Sequence, residues 1–440
     1  MLPGIIIIVL FLVFAFLMMT RKMPALLALP AMAIAIAVCA GCFYDWSTIP
    51  AEAAGPKTWY EFVIVNVVSE GPAKLASAIM FIVFGSILSQ VVMRTGIAER
   101  LISLTAEYAG ENKFRLAALM TIIVAVCFTS VTGLGAVIMI GSLVVPILIG
   151  AGLSAIYTVC LMLFAIAWGG IFNPAILGFY TTTLEVPQQV AQRFVAMNGI
   201  LMGLTTLAYF GVQGWKERKA FNMSVPVSPK SSQVSMLGLI TPILPIALIL
   251  IFDLPIIPAF LVGILWGVFT TRCGNPINAL TAATLEGFKD IGPVLGLYIG
   301  IGMCLNAMAA EPTKAVMAPL MSAIIPTSPL PFVLFFSILA PLAMYRGPLN
   351  FYGLGAGIAG LLMGTHLLSG TAIMAAFFSV GQVQGVCDPT NTHNVWLAQF
   401  AKVTTGDVIR HTLPYVWAFA LVALVVAVYF MGALSLGTTP

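Results

Sequence analysis

The sequence predicts an all-α polytopic membrane protein: about ten transmembrane helices plus two re-entrant hairpins, in two inverted repeats. Three observations predict it. Of the 440 residues, 60% are hydrophobic and 8% charged, where a soluble domain carries about 25% charged residues. Apolar runs of roughly 20 residues, long enough to cross a bilayer, recur along nearly the whole chain. They are too long for barrel strands and do not alternate with period two. Finally, the helix breaks recur. Phe172-Asn173-Pro174 is matched 215 residues later by Cys387-Asp388-Pro389. At about the same offset, Gly85-Ser86-Ile87-Leu88-Ser89 is matched by Gly300-Ile301-Gly302-Met303, and the segment Phe128–Gly133 by Tyr345–Asn350.

The elements follow in order. The first span covers residues 2–19 and is followed by Arg21-Lys22. A signal peptide carries its basic residues before the apolar run, so this reads as a retained helix with its N-terminus outside. A second span covers 24–43, and an outer loop 44–70 carries Asp45, Glu52, Glu61 and Glu70. Span three covers 73–94, and a short amphipathic helix covers 96–109. The stretch 114–151 is apolar but broken at Thr129–Gly135, in mid-membrane, as a re-entrant hairpin would be. Span five, 154–184, is broken at Gly169-Gly170 and Asn173-Pro174, and span six covers 194–214. Residues 1–214 thus form the first repeat.

Residues 215–234 are polar, with Lys216, Arg218, Lys219, Lys230, Pro226 and Pro229, and read as a cytoplasmic linker. The second repeat, 235–440, has spans at 235–252 and 255–271, an inner segment to 289 and a span at 291–310. An amphipathic stretch 312–325 precedes a broken hairpin at 329–368. The next span, 370–401, is broken at Gly385–Asn394, and the last covers 413–433.

Basic residues test this order. On the inner side fall Arg21, Lys22, Arg94, Arg100, Lys113, Arg115, Lys216, Arg218, Lys219, Lys230, Arg272, Lys289, Lys402 and Arg410. Outside fall Lys57, Lys74, Arg193 and Lys314. Positive charge gathers on the cytoplasmic side of membrane proteins, so the expected place is the cell's inner (plasma) membrane, spanned many times. On this order the first hairpin enters from inside and the second from outside, so the repeats are inverted. Paired, interrupted hydrophobic segments in two inverted halves are the sequence mark of a secondary transporter, with its site near the midplane. A net charge of +4 points to no nucleic-acid partner. The seven cysteines lie mostly in apolar segments and read as packing residues. Cys39 and Cys42 lack the second pair that a metal site needs.

Unwound backbone at membrane depth must be buried in protein or line a wet cavity. The first tip offers the hydroxyls of Thr129, Ser130 and Thr132, and backbone amides freed by Gly133. In the second tip, Arg346 is flanked by Tyr345 and Gly347-Pro348, with Asn350 close by. A guanidinium at depth costs roughly 2.5–3.5 kcal/mol and faces a pathway or an acid. It holds a carboxylate by two parallel hydrogen bonds. A structural ion pair with Asp388 is the plainer alternative. The run Asp388-Pro389-Thr390-Asn391-Thr392-His393-Asn394 is the densest polar cluster inside an apolar region. Its oxygens suit Na+, whereas Asp388 with His393 equally suits a proton relay. Asn173, at the matching position, carries no charge. The expected substrate-binding residues are therefore Thr129, Ser130, Thr132, Gly133, Arg346, Gly347, Asn350, Thr390 and Asn391. The expected cation-coupling residues are Asn173, Asp388, Thr392 and His393, with Na+ placed at Ser130, Asn173 and Asp388. There is no phosphate loop, metal-spaced histidine pair or nucleophile triad, so no enzyme and no cofactor beyond the coupling ion is expected.

The chain resembles the ion transporter superfamily of secondary carriers, which includes citrate, gluconate and dicarboxylate permeases. Three stretches carry the resemblance: Met93-Arg94-Thr95-Gly96-Ile97-Ala98-Glu99-Arg100, the tip Ser130-Val131-Thr132-Gly133, and Asp388-Pro389-Thr390-Asn391-Thr392. It extends over nearly the full chain and leans toward the citrate and gluconate side. It implies paired hairpins, a scaffold with a moving transport domain, a homodimer, and carriage of carboxylates with Na+ or H+. The expectation is then cation-coupled symport of a small organic anion by alternating access, of elevator type. Alternatives are a Na+/H+ or oxyanion exchanger, the membrane subunit of a multi-component uptake system, and a channel.

Overall fold

The computed structural model describes residues 2–20, 22–49, 55–217, 234–271 and 275–434. Most of the expected linker, 218–233, lies outside the described residues, as do Arg21, Glu52, Arg272 and Cys273. The described chain is helical throughout. Six helices are long and apolar enough to cross a membrane, and eight when each sharply bent pair counts as one span.

Helices α1 (Leu2–Met19) and α2 (Ala25–Phe43) pack together. The expected outer loop 44–70 is corrected in its second part. Glu61–Glu70 winds as a π-helix and a single 3-10 turn, Gly71–Ala73, joins it to α3 (Ala76–Arg94). The charges at Glu61 and Glu70 suggest a loop, but Phe62, Val63 and Val67 between them are buried against α2 and a long helix of the second half. Gly96, at φ 77°, turns the chain into α4 (Ile97–Ala109).

The first hairpin is α5 (Lys113–Phe128) and α6 (Leu134–Gly150). Asn112 caps α5 by accepting from the Phe114 and Arg115 amides. Both arms pack on α4, as the two legs of a hairpin do. Then α7 (Ala155–Ile171) and α8 (Pro174–Leu184) meet at a 56° bend. Pro174 supplies no N–H and starts the new helix. The expected break at Gly169-Gly170 is not one, because both residues are helical. Gly169 serves packing: a Cβ there would sit 2.0 Å from the Ala125 carbonyl oxygen, so α5 and α7 touch backbone to backbone. Helix α9 (Gln188–Glu217) closes the half.

The second half opens differently from expectation. Residues 235–252 are not one span but a 3-10 turn, Met236–Ile240, and the short α10 (Leu244–Phe252). Pro242 and Pro245 remove the donors that would join them. Helix α11 (Ile256–Thr270) folds back on α10. The inner segment and the span expected at 291–310 are one 34-residue helix, α12 (Pro276–Ala309). Its cytoplasmic-looking charges do not end it, because this stretch is held against α3: Ser86 donates to the Gly287 carbonyl at 3.0 Å. Helix α12 also packs on α2.

Helices α13 (Glu311–Ile324) and α14 (Pro329–Ile338) meet at 96°. A 3-10 segment, Ala340–Arg346, leads to the second break, and α15 (Leu354–Gly364) returns to pack on α12. Helices α16 (Gly370–Cys387) and α17 (Thr392–Phe400) flank the last break. Helix α18 (Thr405–Val425) packs on α16 and α9. Outward residues such as Ile200, Leu204 and Leu207 are over half exposed, the pattern of a surface solvated by lipid.

Candidate functional site: two tips and two broken helices

The first tip is the break 129–133. The Thr129 hydroxyl lies 2.7 Å from the Val126 carbonyl and 2.6 Å from that of Pro242. With one hydrogen it can serve only one at a time. The Ser130 hydroxyl also donates to the Pro242 carbonyl. That carbonyl is available because Pro245, three residues on, has no N–H. These two hydroxyls therefore tie the tip to the second half of the chain. Thr132 meets Ser89 of α3, its amide 3.4 Å and its carbonyl 3.5 Å from the serine hydroxyl. Gly133, at φ 88°, begins α6 with no side-chain cap and is exposed.

Beside this open helix end stands a pair that the sequence reading missed. Gln90 of α3 donates to Asp290 of α12 at 2.5 Å. The same Asp290 oxygen is 3.9 Å from where a Cβ on Gly135 would be. The available signal was Ser86, Ser89 and Gln90 at helical spacing in an apolar helix.

At the first broken helix, Asn173 is fully buried. Its side-chain Oδ1 accepts from the Ala175 amide at 3.0 Å, capping α8. Its side-chain Nδ2 donates to the carbonyl of Phe128, the last residue before the tip, at 3.4 Å. Break and tip of the first half are thus joined.

The second tip is wound tightly. Tyr345 and Arg346 both take positive φ, 57° and 56°, a conformation costing a non-glycine residue roughly 1–2 kcal/mol. Gly347 follows because a Cβ there would lie 2.2 Å from the Leu342 carbonyl. Asn350 is buried and organises the turn: its side chain accepts from the Tyr352 amide at 2.9 Å, and its carbonyl from those of Gly353 and Gly355. Helix α15 also begins with no side-chain cap. Arg346 is half-buried, and among the described residues it makes no ion pair. The structural pairing with Asp388 is therefore absent.

Asp388 is 1% exposed. Its Oδ1 accepts from the Thr390 amide at 2.8 Å and hydroxyl at 2.7 Å, while its Oδ2 is buried with no partner. Its carbonyl accepts from the Asn394 side chain at 2.9 Å, and the Asn394 Oδ1 is likewise unpartnered. Asn391 caps α17 by accepting from the His393 amide at 3.3 Å, as Asn173 caps α8. Thr392 is exposed and His393 half-buried. The 3-10 segment of tip two packs on α16, the helix that ends at Asp388, while α17 beyond the break packs on α6 and α7. Among the described residues, no three His, Cys, Asp or Glu side chains converge. A cation would meet Asp388 and neutral oxygens.

A groove of about 460 Å³ reaches Thr129 and Phe172 and is otherwise walled by apolar side chains of α5, α7, α9 and α10.

Two broken helices and two helix–break–helix tips inside an all-helical polytopic chain define the class: a membrane protein of a fold seen in transporters of known structure. The Alcanivorax borkumensis YdaH transporter superposes with a TM-score of 0.61 at 14% identity, over 92% of this chain and 97% of that one. Neisseria gonorrhoeae MtrF, described within a class of antimetabolite efflux pumps, superposes with a TM-score of 0.55 at 13% identity, over 96% and 94%. At such identities the likeness is one of fold. No family model matches the chain, and no curated protein matches its sequence.

Proposed function

We propose that the chain is a secondary active transporter, coupling Na+ or H+ to symport of an organic carboxylate by alternating access. One observation carries this reading: tip two holds an arginine without a carboxylate partner, while break two holds a buried carboxylate with one unpartnered oxygen. The first suits an anion and the second a cation. The uncapped starts of α6 and α15 add backbone donors for negative charge. On this reading the halves are inverted repeats, the tips and broken helices move as a transport domain of elevator type, and the carrier is a homodimer in the plasma membrane.

The test is uptake into proteoliposomes. Labelled citrate, gluconate and succinate are offered under an inward Na+ gradient, an inward H+ gradient, or neither. Accumulation of one of them under one gradient supports symport. Equilibration without accumulation under every gradient defeats it. A second reading, export, is favoured by the likeness to MtrF. Preloaded vesicles that lose substrate only against an inward ion gradient would establish it.

A further inference from the structure

Tip two does not end at Arg346. Its following residues, Phe351 and Tyr352, enter an aromatic chamber built by both halves. Phe179 of α8 lies 4.8 Å from Tyr352, nearly parallel, 5.0 Å from Phe351 and 4.7 Å from Tyr298 of α12. Tyr180 of α8 is 4.7 Å from Phe351. Phe377 of α16 is 5.3 Å from Phe351 and closes the far side.

Three of these rings, those of Tyr180, Tyr298 and Tyr352, carry hydroxyls, and all three have their centroids within 5.9 Å of the Phe179 ring. Tyr180 and Tyr298 are 3% and 2% exposed. The Tyr180 hydroxyl has a long bond, 3.4 Å, to the Phe377 carbonyl. The Tyr352 hydroxyl is buried with no partner at all. A buried phenol ordinarily finds one. Three phenols from α8, α12 and a tip thus surround Phe179 in an apolar chamber, and the one on the tip is left without an acceptor from the protein itself.

We infer that Tyr180, Tyr298 and Tyr352 form a second polar subsite, which binds an acceptor oxygen of the transported anion in a state where tip two has moved. The inference rests on the transporter reading above and deepens it. The substrate would carry, besides the carboxylate for Arg346, a second oxygen function that accepts hydrogen bonds. Phenols donate to a carboxylate or hydroxyl oxygen without supplying a counter-charge. Tyr352, being on the tip, would report occupancy to the segment that has to move.

The experiment compares Tyr352→Phe, Tyr180→Phe and Tyr298→Phe with the unaltered chain in the same proteoliposomes, using citrate, gluconate and succinate as probes. Each change removes one oxygen and keeps the ring, so the chamber stays filled. Tyr209→Phe is the control: its hydroxyl is also buried and unpartnered, but it sits in a separate aromatic group with Tyr157, Phe164 and Tyr415. The expected result is at least a tenfold higher KM in Tyr352→Phe and smaller rises in the other two. Tyr209→Phe keeps its KM. Probe-induced thermal stabilisation in detergent falls in parallel. If the unaltered chain carries a probe and all three variants keep its KM, the hydroxyls only hold water and the inference falls alone. If the unaltered chain neither binds nor carries any probe, this inference and the carboxylate reading fall together.

Discussion

Asn173 donates to the carbonyl of Phe128, so the first broken helix is fastened to the residue at which the first hairpin breaks. Asp388 holds the matching place in the second half, but it spends one oxygen on Thr390 and keeps the other free. The same backbone device therefore carries a closed amide in one half and an open charge in the other.

Asp388→Asn is expected to abolish ion-driven accumulation while the protein stays folded and inserted. Asparagine retains an oxygen for the Thr390 amide and hydroxyl, so the turn persists. What disappears is the charge of the free oxygen. Substrate exchange survives, since exchange need not complete the ion cycle. Uptake with unchanged ion dependence would make Asp388 structural.

Arg346→Lys is expected to weaken carboxylate binding strongly, because lysine keeps the charge but loses the planar fork. Arg346→Ala removes about 2–5 kcal/mol, the range for truncating one partner of a desolvated charge pair. As Arg346 and Asp388 do not pair, Arg346→Ala combined with Asp388→Asn should bind no better than either alone. Calorimetric titration of the two singles and the double reads this directly. Recovery in the double would show a pairing in another state and remove Arg346 from the substrate site.

Gln90→Leu is expected to lower stability by about 1 kcal/mol, the net value of a typical hydrogen bond. Asp290→Asn costs less, because it keeps an acceptor for the Gln90 amide. Unfolding midpoints in detergent distinguish these. Equal losses would show that the Gln90–Asp290 bond depends on the charge of the carboxylate.

Two glycines should respond in opposite directions. Gly169→Ala forces a methyl into the Ala125 carbonyl and should cost about 1–3 kcal/mol. Gly211→Ala, in α9 with nothing within 4 Å of the new atom, should stabilise by about 0.5–1 kcal/mol through helix propensity. Thermal unfolding of both variants side by side tests the α5–α7 contact without reference to transport.

The breaks were legible because their chemistry is local. Pro174 and Pro389 remove donors, and Asn173 and Asn391 supply caps, whatever surrounds them. The positive φ of Gly133 follows the same rule. What was not legible depends on partners far along the chain. The bond from Ser130 to the Pro242 carbonyl joins residues 112 positions apart. Gln90 and Asp290 are 200 residues apart and neither is remarkable alone. The stretch Glu61–Glu70 hid its buried face because its terminal charges suggest a loop, while one partner that covers Phe62, Val63 and Val67, α12, lies some 200 residues further on. The tyrosine chamber was invisible for the same reason: its rings come from four separate elements.

The lengths of α10, α11 and α12 carry a mechanical consequence. At 1.5 Å per residue, nine-residue α10 reaches about 14 Å and fifteen-residue α11 about 22 Å, while 34-residue α12 reaches about 51 Å. A hydrocarbon core is about 30 Å thick. Folded back on each other, α10 and α11 make a hairpin shorter than that core, while the neighbouring rod exceeds it and must tilt or protrude. On the proposed transporter reading, excursions of the tips would do work against the membrane as well as against protein contacts, and acyl-chain length would then act on turnover in a way that no side chain encodes.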